Sequence, residues 1–364
     1  MARFAFIVIL RPMYAQVHYP DRLTRSELDK YLEAGWFRMG QSVFTTNFLH
    51  FKQEFYSAIW LRVALTRFVQ DRTQEKLFKR NRIFKAVIGN ANLDIQKEEL
   101  FARYKQGISF DTSHSLYHLL HGKVFYNLFD TREITLYDDD KLIAAGYFDL
   151  GENTAAGITS FYDPEYRKYS LGKYLIYLKM HWCRDQGFKY FYPGYFVPGY
   201  TFFNYKLEMG REALEFYDIK SASWKHVDEF SKSPYNVMEQ KLKDLQISLN
   251  EGGIESQLFK YEFFDAALFP ELKDVELFDY PVFLNCFPFQ QHQVNPMVVF
   301  DIRSDKYRLV RCRSIWASQL QPPGGDIYSF HLLMPEMEWA TTADKAEMTE
   351  FIKRLGVNAQ DDLV

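Results

Sequence analysis

Cysteine is scarce in this sequence. Cys183, Cys286 and Cys312 are the three present among 364 residues, and none falls in the first 182. Three thiols at such spacings build neither a disulfide framework nor a zinc ribbon, and they fit a reducing, cytoplasmic setting. Long apolar runs are missing too. The run near the start, Phe4 to Leu10 behind Arg3, is too short to span a bilayer, and no small-residue cleavage site follows it. Met13 is an alternative start, with residues 1–12 read from upstream. Charge of one sign is missing as well: the formal net charge is −3, so any nucleic-acid contact must come from a local patch rather than a global field. No Gly-x-Ser-x-Gly elbow or Gly-x-x-x-x-Gly-Lys-Ser/Thr loop occurs, which removes those routes to serine hydrolysis and nucleotide hydrolysis. There is no internal repeat and no low-complexity tract.

Aromatic residues are abundant, at 18% of the chain, with 34 Phe, 25 Tyr and 6 Trp. The length exceeds what one compact core usually holds, so two domains are expected, fused into one body or separate. Thr24 and Glu27 form a capping box that opens a short helix ending at Gly35. Trp36–Thr46 and Ser57–Phe68 read as strands, and Thr73 as the cap of a helix carrying Lys76, Lys79 and Arg80. Residues 83–89 read as a strand, and 95–106 and 113–121 as helices, the second entered from Asp111 or Thr112. Glu133–Tyr137, Lys141–Asp149 and Ile158–Tyr162 read as antiparallel strands, with turns at Asp138-Asp139-Asp140 and Gly151-Glu152-Asn153. A helix follows from Ser170 to Asp185, with Leu171, Tyr174, Leu175, Leu178 and Trp182 as its apolar stripe. Phe188–Tyr192 is a short strand that Pro193-Gly194 should break. Further on, 235–249 and 343–355 read as helices, 280–287, 296–303 and 307–315 as strands, and 321–325 as a loop. The expected class is α+β, a mostly antiparallel sheet with packed helices. The expected regions are 1–125, 126–217 and an additional α+β region, 218–364.

The stretch from Phe161 to Tyr174 holds the richest chemistry. It reads as a strand end, a tight turn and a helix start. Unpaired backbone N–H groups at a helix N-terminus bind phosphate or a developing oxyanion. Ser170 and Gly172 are small enough to let a ligand approach, and Arg167 adds a fixed positive charge. The simpler alternative is that Asp163-Pro164 only forms a turn and Gly172 only packs. The segment 71–85, with Arg72, Lys76, Lys79, Arg80, Arg82 and Lys85 among Phe78 and Phe84, is either a solvated helix face or a grip for RNA phosphates. His114, His118 and His121 lie at helical spacing without clustered cysteine or a His-Glu-x-x-His pattern, and no metal is expected there.

The string PEYRKYSLGKYLI resembles the acyl-CoA binding turn of GNAT-fold acetyltransferases at Arg167 and Gly172, with Ser170 in place of its first glycine. The longer set Phe161-Tyr162-Asp163-Pro164, Ser170-Leu171-Gly172, Tyr174, Gly187, Tyr190, Tyr192, Gly194-Tyr195, Pro198 and Asn204-Tyr205-Lys206 resembles one related branch. That branch is the arginyl-tRNA–protein transferases and bacterial aspartate/glutamate leucyltransferases. Upstream, GWFRMGQSVFTTN at 35–47 and the positions Arg62, Phe68, Gln74, Arg80 and Asn81 fit the same family, so the resemblance covers about 20–217. The family's paired cysteines have no counterpart; Thr45, Thr46 and Asn47 stand where such a group would begin. The resemblance implies a GNAT-like fold and transfer of arginine or leucine from an aminoacyl-tRNA to the N-terminal amine of an acceptor protein. No cofactor is expected. It implies Asp163 as a candidate proton acceptor, with Tyr162 and Tyr195 beside it as catalytic candidates. It implies Arg167, Ser170, Leu171, Gly172, Tyr192, Gly194, Tyr205, Lys206, Lys79 and Arg80 as candidates for holding the substrate or tRNA. An acyl-CoA-dependent N-acyltransferase and a non-catalytic binding protein on the same fold are the alternatives.

Overall fold

The computed structural model describes residues 13–108, 113–286, 295–318 and 327–361. Phe4–Leu10, Asp111, Thr112 and the 321–325 loop lie outside them. The chain divides into two compact units, one of His18–Phe44 with Ala58–Ser231, the other of Met1–Val17, Thr45–Ser57 and Lys232–Val364.

The first unit is built on an eight-stranded sheet. Its strands are β1 (Ile59–Ala64), β2 (Lys85–Asn90), β3 (Thr131–Asp138), β4 (Lys141–Leu150), β5 (Thr154–Tyr162), β6 (Tyr190–Phe196), β7 (Leu214–Asp218) and β8 (Ser223–His226). They lie in the order β8-β7-β1-β6-β5-β4-β3-β2. The β5–β6 pair is parallel and the others are antiparallel. The helices are α1 (Arg25–Glu33), α2 (Arg72–Asn81), α3 (Ile95–Gln106), α4 (Leu116–His121) and α5 (Leu171–Asp185). On one face, Leu171, Leu175, Met180 and Cys183 of α5 pack in a core with Leu136, Ile143, Ala144 and Phe148. On the other, Leu100 and Phe101 of α3 and Leu116 and Leu120 of α4 meet Leu142, Ala145, Tyr147 and Phe161. Both faces of β4 are therefore covered, and Leu142 to Leu150 are all buried.

Local signals explain most helix ends, with instructive exceptions. The capping box at α1 forms as the sequence expects: Thr24 accepts from the Glu27 N–H and Glu27 accepts from the Thr24 N–H. The cap of α2 is Asp71, not Thr73; the Asp71 carboxylate accepts from the Gln74 N–H at 2.8 Å. An ionised cap two residues earlier gains from the helix dipole and draws Thr73 into the first turn. The cap of α4 is Ser115, and Glu98 of α3 accepts from the Leu116 and Tyr117 N–H groups. Pro193-Gly194 does not break β6, which runs on to Phe196. A register shift against β1 between Phe191 and Gly194 absorbs the missing proline N–H as a bulge. The expected strand at 36–46 folds back at Gly40 into the hairpin Phe37–Met39 with Ser42–Thr46.

The second unit holds a six-stranded sheet in the order Tyr328–Ser329, Gln257–Tyr261, Val282–Asn285, Asn295–Asp301, Lys306–Ala317 and His331–Thr342. Helices Pro234–Glu251 and Lys345–Asp361 belong to it, as does the hairpin Phe48–Phe51 with Glu54–Ser57. Tyr14 is tied into this unit: its hydroxyl donates to Asp301 at 2.6 Å and Arg303 lies over its ring at 3.8 Å. Among the described residues, no helix is long and apolar enough to cross a membrane.

Candidate functional site

The parallel pair β5–β6 is held at three positions, Thr154–Tyr190, Ala155–Phe191 and Ala156–Tyr192. Beyond them β5 bulges between Gly157 and Thr159 while pairing with β4, and β6 bulges on β1. Two bulges on neighbouring strands end their pairing, and a cleft of about 470 Å3 opens between them. Tyr162, Arg167, Ser170, Gly172, Tyr205 and Lys206 line it. No Asp, Glu or His is among its described lining residues, whereas Arg167, Lys173, Lys179 and Lys206 are.

The N-terminus of α5 forms one wall. Ser170 takes the left-handed conformation, φ +55°, between the 3-10 turn Pro164–Tyr169 and α5, and its side chain makes no cap bond. The first N–H groups of α5 have no intrahelical partner and stay available to a ligand. The turn is fixed from α2: Arg80 and Asn81 donate to the Tyr169 carbonyl at 2.8 and 3.0 Å. The Phe84 ring meets Tyr169 edge-on at 5.0 Å.

Two buried lysines stand at the two lips of the split. Lys179, 1% exposed, donates to the Thr159 carbonyl at 2.7 Å, the Tyr147 carbonyl at 3.0 Å and the Ser160 hydroxyl at 3.0 Å. It thereby pins the β5 bulge. Gly146 makes room for it; a Cβ there would stand 2.8 Å from Lys179 Cε. Lys206 donates to the Tyr195 carbonyl on β6 at 2.8 Å, between the Tyr195 and Phe203 rings. Gly194, at φ +90°, leaves space for it, since a Cβ would lie 3.1 Å from Lys206 Nζ. Burial pulls both ammonium groups down to about 7.

The remaining candidates separate clearly. Leu171 and Tyr192 are wholly buried, Leu171 in the α5 core and Tyr192 against Phe37 and Trp224 on the opposite face of the sheet. Tyr195 packs edge-on against Trp60 at 5.0 Å, outside the lining of the cleft, and its carbonyl accepts from Lys206, which does line it. Asp163, 4% exposed, caps the 3-10 turn by accepting from the Glu165 N–H at 3.1 Å. Its carboxylate pairs with Lys141 at 3.2 Å and Arg103 at 3.8 Å, in a separate recess. Lys79 and Arg80 are exposed on α2. Arg80 also lines a second cavity of about 490 Å3 with Lys76, Ser170 and Lys173. Lys173 there pairs with Glu208 at 3.1 Å. His114 and His118 meet ring to ring at 4.2 Å.

Lys179 and the α3 residues Phe101 and Tyr104 also line the cleft, although the motif pattern singles out none of them. Lys179 carries a signal: it falls four residues after Leu175 and three before Trp182, on the apolar side of α5, where a lysine needs a reason. Phe101 and Tyr104 carry none, because only the tertiary fold brings α3 to β5.

Residues 66–215 match the family described as "Arginine-tRNA-protein transferase, C terminus". The aspartate/glutamate leucyltransferase of Leptospira interrogans is 28% identical over 220 residues, 59% of this chain and 84% of that protein. The Campylobacter jejuni protein of the same name is 24% identical over 197 residues, 52% of this chain and 80% of that one. The Acinetobacter baumannii protein is 26% identical over 196 residues, 52% and 69% respectively. A crystal structure of FemX aligns over 56% of this chain and 69% of that one with 10% identity and a TM-score of 0.33, too slight a likeness to bear on the fold.

Proposed function

We propose that this chain, whose residues 66–215 belong to the arginine-tRNA-protein transferase family, is an aminoacyltransferase that moves an amino acid from an aminoacyl-tRNA to the N-terminal amine of an acceptor protein. The observation that carries the reading is the split between β5 and β6, walled by the N-terminus of α5 and lined by cations without a carboxylate among the described residues. It lies inside the matched segment, and a split sheet beside a helix N-terminus is what a GNAT-like acyltransferase core requires. The donor is an ester, already activated. An α-amine with a pKa near 8 is partly neutral at pH 7. Positioning and oxyanion stabilisation then supply most of the catalysis.

Arg167, the Ser170–Gly172 turn and the first N–H groups of α5 hold the terminal nucleotide of the tRNA. Tyr162 and Tyr205 wall the aminoacyl group, while Lys76 and Lys79 on α2 take phosphates beyond it. Asp163 holds the turn through its cap and ion pairs, and Tyr192 and Tyr195 support the wall from behind. The core is assigned to 126–217, with α2 and β1 supplied from 1–125. The donor is leucine rather than arginine. The cleft offers Phe101, Ile158, Ile176 and Phe203 but no described carboxylate for a guanidinium, and a buried unpaired cation beside Lys179 and Lys206 is costly. Charged tRNA as the donor places the protein in the cytoplasm.

The test mixes the purified full chain with charged tRNA-Leu, charged tRNA-Arg or acetyl-CoA, and with peptides beginning in Asp, Glu or other residues. Labelled leucine appearing in a peptide is the expected result. Acetylation without aminoacyl transfer would make it an acyl-CoA enzyme. No transfer from either charged tRNA, with no shift of tRNA on a native gel, would overturn the reading.

A further inference from the structure

We propose that Lys206 is the proton shuttle of the transfer, taking a proton from the attacking α-amine and delivering it to the ribose oxygen that leaves. This rests on the aminoacyl-tRNA reading above. The amine nitrogen forms a bond to the ester carbonyl carbon and the carbon–ribose-oxygen bond breaks. One proton must leave the nitrogen and one must reach the oxygen. A single group that accepts and then donates balances the step without a further reactant.

Elimination points to Lys206. No Asp, Glu or His is among the described residues of the cleft. Its tyrosines are poor bases at neutral pH: burial pushes Tyr104 up to about 12 and raises Tyr205 further, and raises Tyr195 behind them. The Arg167 guanidinium offers donors only and no acceptor atom. Lys173 is half-exposed and paired with Glu208, the acid closest along the chain to Lys206. Lys179 engages three protein acceptors and has no donor left for a substrate.

Lys206 differs on each count. It is 8% exposed and lines the cleft. Its one hydrogen bond, to the Tyr195 carbonyl, fixes the nitrogen and leaves its other positions open to the cleft. Rings surround it rather than a carboxylate, and burial brings its ammonium down to about 7, where it can both lose and regain a proton. The 3-10 segment Thr201–Glu208 and the bulge at Gly194 exist in a form that delivers this one nitrogen to the lip of the split.

Single-turnover transfer from leucyl-tRNA at saturating enzyme, followed against pH, tests the assignment. Wild type needs both a neutral Lys206 and a neutral acceptor amine. The log rate should rise with slope two below about pH 7, slope one to about pH 8, and level off above. Lys206→Met and Lys206→Arg should each lose about 100-fold or more in rate, keep tRNA affinity within a few fold, and show only the upper break. Arginine cannot shuttle a proton at these pH values. Full rescue by Lys206→Arg, or loss of tRNA affinity with an unchanged rate at saturation, would overturn the shuttle in favour of a fixed charge. Should neither variant fold, a wild-type profile without the lower break overturns it alone. Wild type inert with every charged tRNA would instead fell the aminoacyl-transfer reading, and this role with it.

Discussion

Replacing Lys179 by methionine should change the sign of its own effect on stability as pH rises. The native ammonium sits near 7 by burial, against 10.5 for the free side chain. Below pH 7 both folded and unfolded chains carry the proton, and the folded state bears the full cost of a buried charge. The gap between 10.5 and about 7, converted at about 1.36 kcal/mol per pH unit, sets that cost at roughly 5 kcal/mol. Between pH 7 and 10.5 the unfolded chain holds a proton that the folded chain has lost. Wild-type stability therefore gains about 1.4 kcal/mol per pH unit from this group across that window. Methionine removes the titration and also orphans the acceptors at Thr159, Tyr147 and Ser160, at about 1 kcal/mol each, roughly 3 in all. The variant should be roughly 2 kcal/mol more stable than wild type at about pH 6.5 and roughly 1–2 kcal/mol less stable at about pH 9.5. Urea denaturation of both proteins at about pH 6.5, 8 and 9.5 measures the difference. A difference that stays constant over those pH values would refute the claim that Lys179 folds in as a neutral amine.

Other outcomes follow from single contacts. Arg38→Met leaves Asp149, 1% exposed, without the guanidinium that lies 2.8 Å from it; thermal melts at pH 7 should show a loss of about 3–5 kcal/mol. Burial already pushes the Asp149 carboxyl up, so protonation should return part of that loss as pH falls toward 5. Gly194→Ala forces a Cβ into a positive-φ position and 3.1 Å from Lys206 Nζ, which should cost about 1–2 kcal/mol in a melt and lower kcat more than it raises KM. Lys76→Glu with Lys79→Glu should weaken tRNA binding and reduce the slope of log affinity against log salt by about two; filter binding over a salt series reads this, and an unchanged slope would remove α2 from the tRNA path. Arg80 is left in place there because it also holds the Tyr169 carbonyl.

What the sequence made legible was whatever depends on neighbours along the chain. The capping box at Thr24, the helix from 171 to 185 and the hairpin turn at Asp138–Asp140 each follow from residues a few positions apart. The break expected at Pro193-Gly194 does not occur, for the opposite reason. Two breakers in a row argue for an end, and only the pairing of β6 with β1 turns them into a bulge. The bulge is also what helps open the cleft, so the local rule failed at the very place where the site is formed. The buried face of α5 departs from the expected apolar stripe for a related reason. Leu178 and Trp182 are only half-buried while Lys179, Met180 and Cys183 are buried, because the helix lies deeper in the fold than a one-sided stripe assumes.

The residues that carry the family resemblance mostly hold backbone in place. Arg38 donates to the Gly40 carbonyl, Thr131 and Asp149. Arg62 bridges Glu215 at 2.6 Å and Glu33 at 2.5 Å, with its guanidinium over Tyr190 and Trp224. Asn81, fully buried, holds the Tyr169 carbonyl and with it the turn that starts α5. Such residues keep a split sheet and a helix N-terminus in register whatever is bound there. The region around Thr45–Asn47 answers to a different need. Thr46 and Asn47 are buried; the Thr46 hydroxyl donates to the Phe48 carbonyl at 2.8 Å and the Asn47 backbone N–H to the Tyr14 carbonyl at 3.0 Å. Where the family places thiols, this chain places Thr46, whose hydroxyl satisfies a main-chain carbonyl. The bonds that fix the cleft run from Lys179 to β5, from Lys206 to β6, and from Arg80 and Asn81 to the turn before α5, and each is made by a nitrogen donor to a main-chain carbonyl, with no thiol in the set.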